Sequence, residues 1–457
     1  MMYSTETTHE AIRTALDAVH GLTLLRDVLD DTIGRTMLTL FRLLIAPEPD
    51  AVSIAQAYSN TLFALADSIN TDELLPLIPD AWQAHLVSRV VDSTNPWSTQ
   101  AERATPQQIA PAMHAQAKHD LYVLSLLYTL SAHDIWQLTQ HIVVQSLPGI
   151  RNAWVPWYNL ALERNAKGTE REKLAQHLAT LADWTAASTL LEQYWRRHGT
   201  GMFARYSVLQ WAGCTEGLHG IAHSDGIQLA NLIGYEREKV RLQTNLERFV
   251  HGLPAHDAVL YGAPGTGKSS TVKALANTYA DMGLRLIEVR KEFVNDLPAI
   301  VNSVRGHAPY FLLFIDDLSF EEHETEYKAL KVLLEGAVEA RPANVLIYVT
   351  TNRLNLIREN FADRGKPTDD VHWRDTLDEK ASLVARFGLR VTFMTPDQAQ
   401  YLTIVTGLAQ QRGLTLAEED LHVRALTWER QHTGRSGRLA RQFVNDLEAE
   451  QKMGQVT

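Results

Sequence analysis

The chain reads as an α/β protein: a five-stranded parallel sheet with a C-terminal helical domain, preceded by a mainly α-helical N-terminal domain. Three observations point there. Beyond about residue 220, short apolar runs alternate with helix-length stretches, which is the rhythm of strand–helix–strand units. Beyond Met394 only helical patterns remain. Before residue 210, apolar residues recur at spacings of three and four almost throughout, and alternating strand patterns are rare.

The elements follow in order. Helical spacing appears in 9–28, 36–45, 51–67, 120–131, 133–147, 170–183 and 185–197, punctuated by prolines such as Pro76, Pro96 and Pro111. The stretch 211–226, WAGCTEGLHGIAHSDG, is rich in glycine and reads as a connection between domains. AVLYG (258–262), LRLIEV (284–289), YFLLFID (310–316), VLIYVTT (345–351) and LRVTFM (389–394) read as the five strands. Helices are expected over 269–281, 296–304, 325–339 and 375–386, and at the end over 397–412, 418–431 and 435–452. The expected domains are therefore 1–210, 227–395 and 396–457, with 211–226 between the first two.

Composition narrows the function classes. The chain has 457 residues and a formal net charge of −11, which excludes a strongly basic nucleic-acid coat. Its single cysteine, Cys214, excludes a disulfide framework within the chain and a multi-cysteine metal site. No apolar run is long enough for a membrane span, and MMYSTETTHE does not read as a signal peptide. A cytoplasmic setting is the expectation. The first 220 residues hold eight of the ten tryptophans and are sparsely charged. Their histidines include His114 and His119, and His133 and His141, but no pair four apart on a helix and no HExxH, so no metal chemistry is read there.

The chemistry lies in the second region. GAPGTGKS, Gly262 to Ser269, matches G-x-x-x-x-G-K-[ST] in full, and it sits after an expected strand and before an expected helix. Such a loop turns successive N–H groups toward phosphate oxygens, so Gly262, Ala263, Pro264, Gly265, Thr266, Gly267, Lys268, Ser269 and Ser270 are the candidate ATP-binding residues. Lys268 is expected on the β- and γ-phosphates, and Ser269 on Mg2+. The strand YFLLFID ends in Asp316 and Asp317. Asp316 is the second candidate Mg2+ residue, and Asp317 the candidate base for the attacking water.

These motifs, with LANLIGYEREK, FIDDLSFE, LKVLLEG, IYVTTNR, SLVARFG and GRSGRLARQF, make residues 225–457 similar to AAA+ ATPases, and more specifically to the bacterial domain of unknown function 815 family. The resemblance implies a P-loop AAA+ core with a helical lid, ATP and Mg2+ as ligands, and a homo-oligomer, ring-shaped or helical. It implies that the segment Leu232-Ile233-Gly234-Tyr235, with Ile233 and Gly234 at its centre, lines the adenine pocket and that Asn352 is a polar sensor of the γ-phosphate. Arg386 takes the place of an arginine finger, with an ion pair to Asp378 or Glu379 as the alternative. Arg438 takes the place of the second sensor, with Arg441 as its rival. The chain departs from the commoner pattern in carrying Asp-Asp where most AAA+ proteins have Asp-Glu. Asp317 is one methylene shorter than glutamate, which leaves open slow turnover, an adjusted backbone, or a role for Glu321 or Glu322. Phe293 either lines a pore or packs locally.

Three functions remain open at this point. The first is ATP hydrolysis coupled to remodelling a protein partner or complex, with the N-terminal domain recognising the client. The second is a DNA-associated ATPase of the loader or transposition-helper kind. The third is a nucleotide-dependent scaffold with little turnover.

Overall fold

The computed structural model describes residues 2–70, 78–150, 154–160, 168–319, 327–335, 341–352, 383–432 and 434–456. The chain divides into two compact units, Met1–Arg205 and Tyr206–Thr457. No helix among the described residues is long and apolar enough to cross a membrane.

The first unit is helical. Its longer helices are Met2–Val19, Thr32–Leu44, Ala51–Asn70, Ala81–Val91, Pro111–Tyr128, Ala132–Ser146, Glu170–Thr180 and Ser188–His198. Short polar side chains start several of them: Asp31 accepts from the Gly34 N–H, and Asp80 from those of Trp82 and Gln83. Asn95 and Ser98 form a reciprocal cap on the helix that opens at Pro96. Trp82, Trp97, Trp157, Trp184 and Trp195 are fully buried among aliphatic side chains. The helix expected over 9–28 stops at Val19. The Asp120 carboxylate takes the N–H groups of Thr23, Leu24 and Leu25 at 3.0, 2.6 and 2.9 Å, so these residues satisfy their backbone through a distant side chain instead of a helix.

The second unit is built on a seven-stranded sheet. Its strands are β1 (Val208–Trp211), β2 (Leu218–Gly220), β3 (Ala258–Gly262), β4 (Leu284–Val289), β5 (Tyr310–Ile315), β6 (Val345–Thr351) and β7 (Leu389–Phe393). Their order is β2-β1-β4-β5-β6-β3-β7. Every neighbouring pair is parallel except β1 and β2. The five strands expected from sequence are β3 to β7. The two additional strands correct the reading of 211–226 as a plain connection: Val208–Trp211 extends the sheet beside β4, and Leu218–Gly220 pairs back on it. Strands of four and three residues are too short to show an alternating pattern. Trp211 therefore belongs to this unit, buried on β1, where its indole N–H donates to Asp296 Oδ2 at 2.9 Å.

Helices Glu236–Val250 and Lys268–Tyr279 pack on the sheet, and β6 is buried along its whole length. Phe293 lies in a 3-10 turn, Lys291–Asp296, half-buried against the β1–β2 turn, where a Cβ on Gly213 would meet its ring at 3.3 Å. Three helices complete the unit: Gln398–Gln411, Glu418–Gln431 and Gly437–Val456. Their core of Tyr401, Ile404, Leu421, Phe443 and Leu447 also receives Ile233 and Tyr235 from the segment ahead of β3. Most of the expected helix 375–386, with Asp378 and Glu379, lies outside the described residues, as do Glu321 and Glu322.

Candidate functional site

The strand order places β6 between β5 and β3. The carboxyl ends of these three parallel strands therefore open on one crevice, where ligands of open α/β sheets bind. The loop after β3 turns into helix Lys268–Tyr279 through Gly262, Gly265 and Gly267, all at positive φ. Gly262 has no room for a side chain: a Cβ there would lie 2.0 Å from the Phe393 carbonyl of β7. Thr266 Oγ1 donates to the Ala263 carbonyl and Thr271 Oγ1 to that of Gly267, both at 2.9 Å, fixing the loop at each end.

Lys268 is buried. Its Nζ donates to the carbonyls of Gly262 (2.7 Å) and Ala263 (3.0 Å) and to Asn352 Oδ1 (2.9 Å). Burial pulls its pKa below the ordinary lysine value, with Arg438 acting the same way and Asp317 and Asp316 opposing. The other end of the Asn352 amide donates to Asp317 Oδ1 at 2.6 Å. Ser269 Oγ and Thr350 Oγ1 each donate to Asp316 Oδ1 at 2.5 Å. The Asp317 N–H reaches both Thr350 Oγ1 (2.9 Å) and Asp316 Oδ1 (3.1 Å). Asp317 itself has φ of 49°, one of two non-glycine residues at positive φ among those described.

These groups face a cavity of about 520 Å3. Of the residues expected at the site, Ile233, Gly234, Pro264, Gly265, Thr266, Gly267, Lys268, Ser269, Ser270, Asp316, Asp317, Asn352 and Arg438 all line it. Gly262 and Ala263 contribute through the carbonyls that hold Lys268. Arg441 lines the cavity together with Arg438, so both arginines of the last helix face it. The Arg438 N–H donates to the Gly265 carbonyl at 3.1 Å, tying the start of that helix to the phosphate loop. Arg386 is half-exposed just ahead of β7 and is not among the cavity's lining residues.

Sequence reasoning missed several contributors. Thr350 was read only as strand, although strand alternation from Asn352 puts it on the same face two residues back. Tyr235, by contrast, belongs to the Leu232–Tyr235 segment expected at the adenine pocket. With Leu232 it lines the cavity; Tyr235 does so at φ 58°, its ring 5.2 Å from that of Phe393 and its hydroxyl donating to the Met394 carbonyl at 2.6 Å. Ile404 and Leu408 close the apolar end from the first of the three C-terminal helices. Ile233 nests against Gly407 of that helix, where a Cβ would lie 2.9 Å from Ile233 Cγ1.

The donor set suits a magnesium nucleotide. The cradle is lined by backbone of a glycine loop at a helix start, with a buried ammonium at its side. One hydroxyl and one carboxylate meet at its edge, the hard oxygen ligands that Mg2+ takes in small number. Among the described residues no group of three or more His, Cys, Asp or Glu side chains could hold a metal by itself.

A mainly parallel sheet with this strand order, a phosphate loop after β3, paired aspartates after β5, a polar residue after β6 and a helical lid define the class of AAA+ P-loop ATPases. The chain belongs to the family described as "Protein of unknown function (DUF815)", whose model matches residues 204–451. Two Schizosaccharomyces pombe proteins are similar to part of it. The 26S proteasome regulatory subunit 4 homolog is 30% identical over 135 residues, covering 24% of this chain and 30% of its own length. The 26S proteasome regulatory subunit 6B homolog is 30% identical over 153 residues, covering 28% and 39%. The present chain thus spans well under half the length of these relatives. Among solved structures, the Thermotoga maritima RuvB Holliday junction branch migration motor is 17% identical, with 48% of this chain and 63% of that one covered and a TM-score of 0.34.

Proposed function

We propose that the cavity binds ATP with Mg2+ and hydrolyses it, and that the resulting change in lid position remodels a protein partner or complex. The observation that supports this most is an unbroken path of polar contacts, Ser269–Asp316–Thr350–Asp317–Asn352–Lys268, running from the hydroxyl–carboxylate pair to the buried ammonium. In this reading Lys268 exchanges its loop carbonyls for the β- and γ-phosphates. Ser269 and Asp316 hold Mg2+, which supplies positive charge against the phosphate oxygens. Asp317 accepts a proton from the attacking water while Asn352 orients it. Ile233, Gly234 and Tyr235 receive the base beside Ile404 and Leu408.

Arg438, joined to Gly265 through its backbone and facing the cavity through its side chain, links phosphate contacts to the lid. Arg386, outside the cavity of its own subunit, acts on the nucleotide of a neighbour, so turnover requires a head-to-tail contact between copies. The helical N-terminal unit recognises the client.

Lys268→Ala tests the site. Losing one member of a buried charged contact costs about 2–5 kcal/mol, so ATP affinity falls about 30-fold or more while the thermal melt stays close to wild type. ATP binding at wild-type strength would reject the assignment.

A further inference from the structure

Thr350 holds a place in the site that the phosphate-loop chemistry does not by itself require. It is buried at 1% exposure near the end of β6. Its single oxygen works in both directions, donating to Asp316 Oδ1 at 2.5 Å and accepting the Asp317 N–H at 2.9 Å. Among uncharged side chains of this size only a hydroxyl does both; valine has the same shape and does neither.

Two consequences follow from that bridge. Asp316 Oδ1 takes donors from Ser269, Thr350 and the Asp317 backbone, which leaves its carboxylate little freedom to rotate. Asp317 sits at φ 49°, in the left-handed region that is uncommon for residues with a Cβ and that aspartate enters more readily than most, so local hydrogen bonds can select it. The restraints at this turn include the Thr350 hydroxyl oxygen and Asp316 Oδ1 on its N–H, the Asn352 amide on its carboxylate, and the Leu318 N–H on the Thr350 carbonyl at 2.8 Å. That amide also contacts Lys268 Nζ, so the turn delivers the Asp317 carboxylate to within one amide of the buried ammonium.

We propose that Thr350 is a positioning residue of the nucleotide site: its hydroxyl aims Asp316 toward the cation and holds Asp317 in the left-handed turn that places its short carboxylate beside Asn352. The backbone turn does for Asp317 what an extra methylene does for glutamate. This rests on the reading of the cavity as a Mg2+-ATP site.

The test compares full-length wild type, Thr350→Val and Thr350→Ser. ATP affinity is titrated with and without Mg2+, phosphate release is resolved into kcat and KM, and each variant is melted. Side chains that orient metal ligands and catalytic groups are commonly worth about 10- to 100-fold. Thr350→Val is therefore expected to bind metal-free ATP like wild type, to lose about ten-fold of the affinity that Mg2+ adds, and to fall by at least that factor in kcat. Thr350→Ser recovers most of both. If Thr350→Val keeps the Mg2+ gain and kcat, or if serine fails as badly as valine, the positioning role is overturned, even if the melt drops. If wild type binds ATP without turning it over, the Mg2+ gain alone decides. If wild type binds no ATP, the site reading falls, and this inference with it.

Discussion

The two units use their polar and charged side chains differently. In the helical unit, each buried carboxylate is closed off by the framework. Asp120, fully buried, caps three backbone N–H groups and takes the Gln116 amide. Glu192 accepts from the Trp97 indole at 2.8 Å, and Glu102 from Thr200 Oγ1 at 3.1 Å. Arg171 grips Asp92 with two parallel bonds of 2.8 and 2.6 Å. In the sheet unit, buried Lys268, half-buried Asp316 and exposed Asp317 and Asn352 bond to one another around an open cavity, on a backbone that includes a left-handed aspartate. Burial of a charged group therefore does not mark a site. Convergence of such groups on a cavity does.

That contrast can be broken or sharpened by substitution. Arg386→Ala is expected to have the largest effect. An arginine finger contributes about 10³ to 10⁵ in rate, so turnover falls by about 10³-fold or more while ATP binding holds. Mixing this variant with Lys268→Ala should restore part of the phosphate release, because each supplies the half-site that the other lacks. Co-assembled variants that recover nothing would place Arg386 outside the chemistry.

Asp120→Ala comes next, and its effect is on stability. It removes the acceptor of three backbone N–H groups, of which Leu25 is buried, Leu24 half-buried and Thr23 exposed, costing about 2–4 kcal/mol. The melting temperature drops, while ATP affinity of the still-folded protein is unchanged. An Asp120 variant that melts like wild type would mean that these N–H groups find water.

Asp317→Asn is the mirror case. Asparagine tolerates the left-handed backbone, so the melt stays within about 1 kcal/mol of wild type. Removing the base lowers turnover by about 10²-fold, with ATP still bound. Unchanged phosphate release would reject Asp317 as the base.

The smallest effect is expected from Gly407→Ala. Alanine favours a helix by about 1 kcal/mol over glycine, so the lid does not lose stability. Its Cβ presses on Ile233, and overpacking of this kind costs about 1 kcal/mol or more, which weakens ATP binding by up to about ten-fold. A titration showing wild-type affinity would separate Ile233 from the base pocket.

Much of the second unit was legible in the sequence because its signals are local. The five longer strands are apolar runs, and the phosphate loop is a contiguous string whose glycines serve positive φ. Asp316, Asp317 and Asn352 stand at or just past strand ends, which is where parallel sheets present their side chains. The helical unit was legible as helices, but its first boundary was not, because the segment after Val19 is organised by Asp120, about a hundred residues away.

By itself, then, the sequence determined the α/β character of residues 258–394, the helical character of both flanks, and the residue types that gather at the crevice. Tertiary structure alone decided the rest. It added β1 and β2, whose three or four residues pair only because β4 offers an edge to β1 and β1 in turn offers one to β2. It moved Trp211 from the expected connection into the sheet. It made Thr350 a bridge between Asp316 and Asp317, put Asp317 in a left-handed turn, and seated Ile233 on Gly407. The physical reason is common to all of these. Periodicity and motif spacing report interactions between near neighbours in the chain, whereas a short edge strand, a shared hydroxyl and a close approach depend on what distant segments bring alongside.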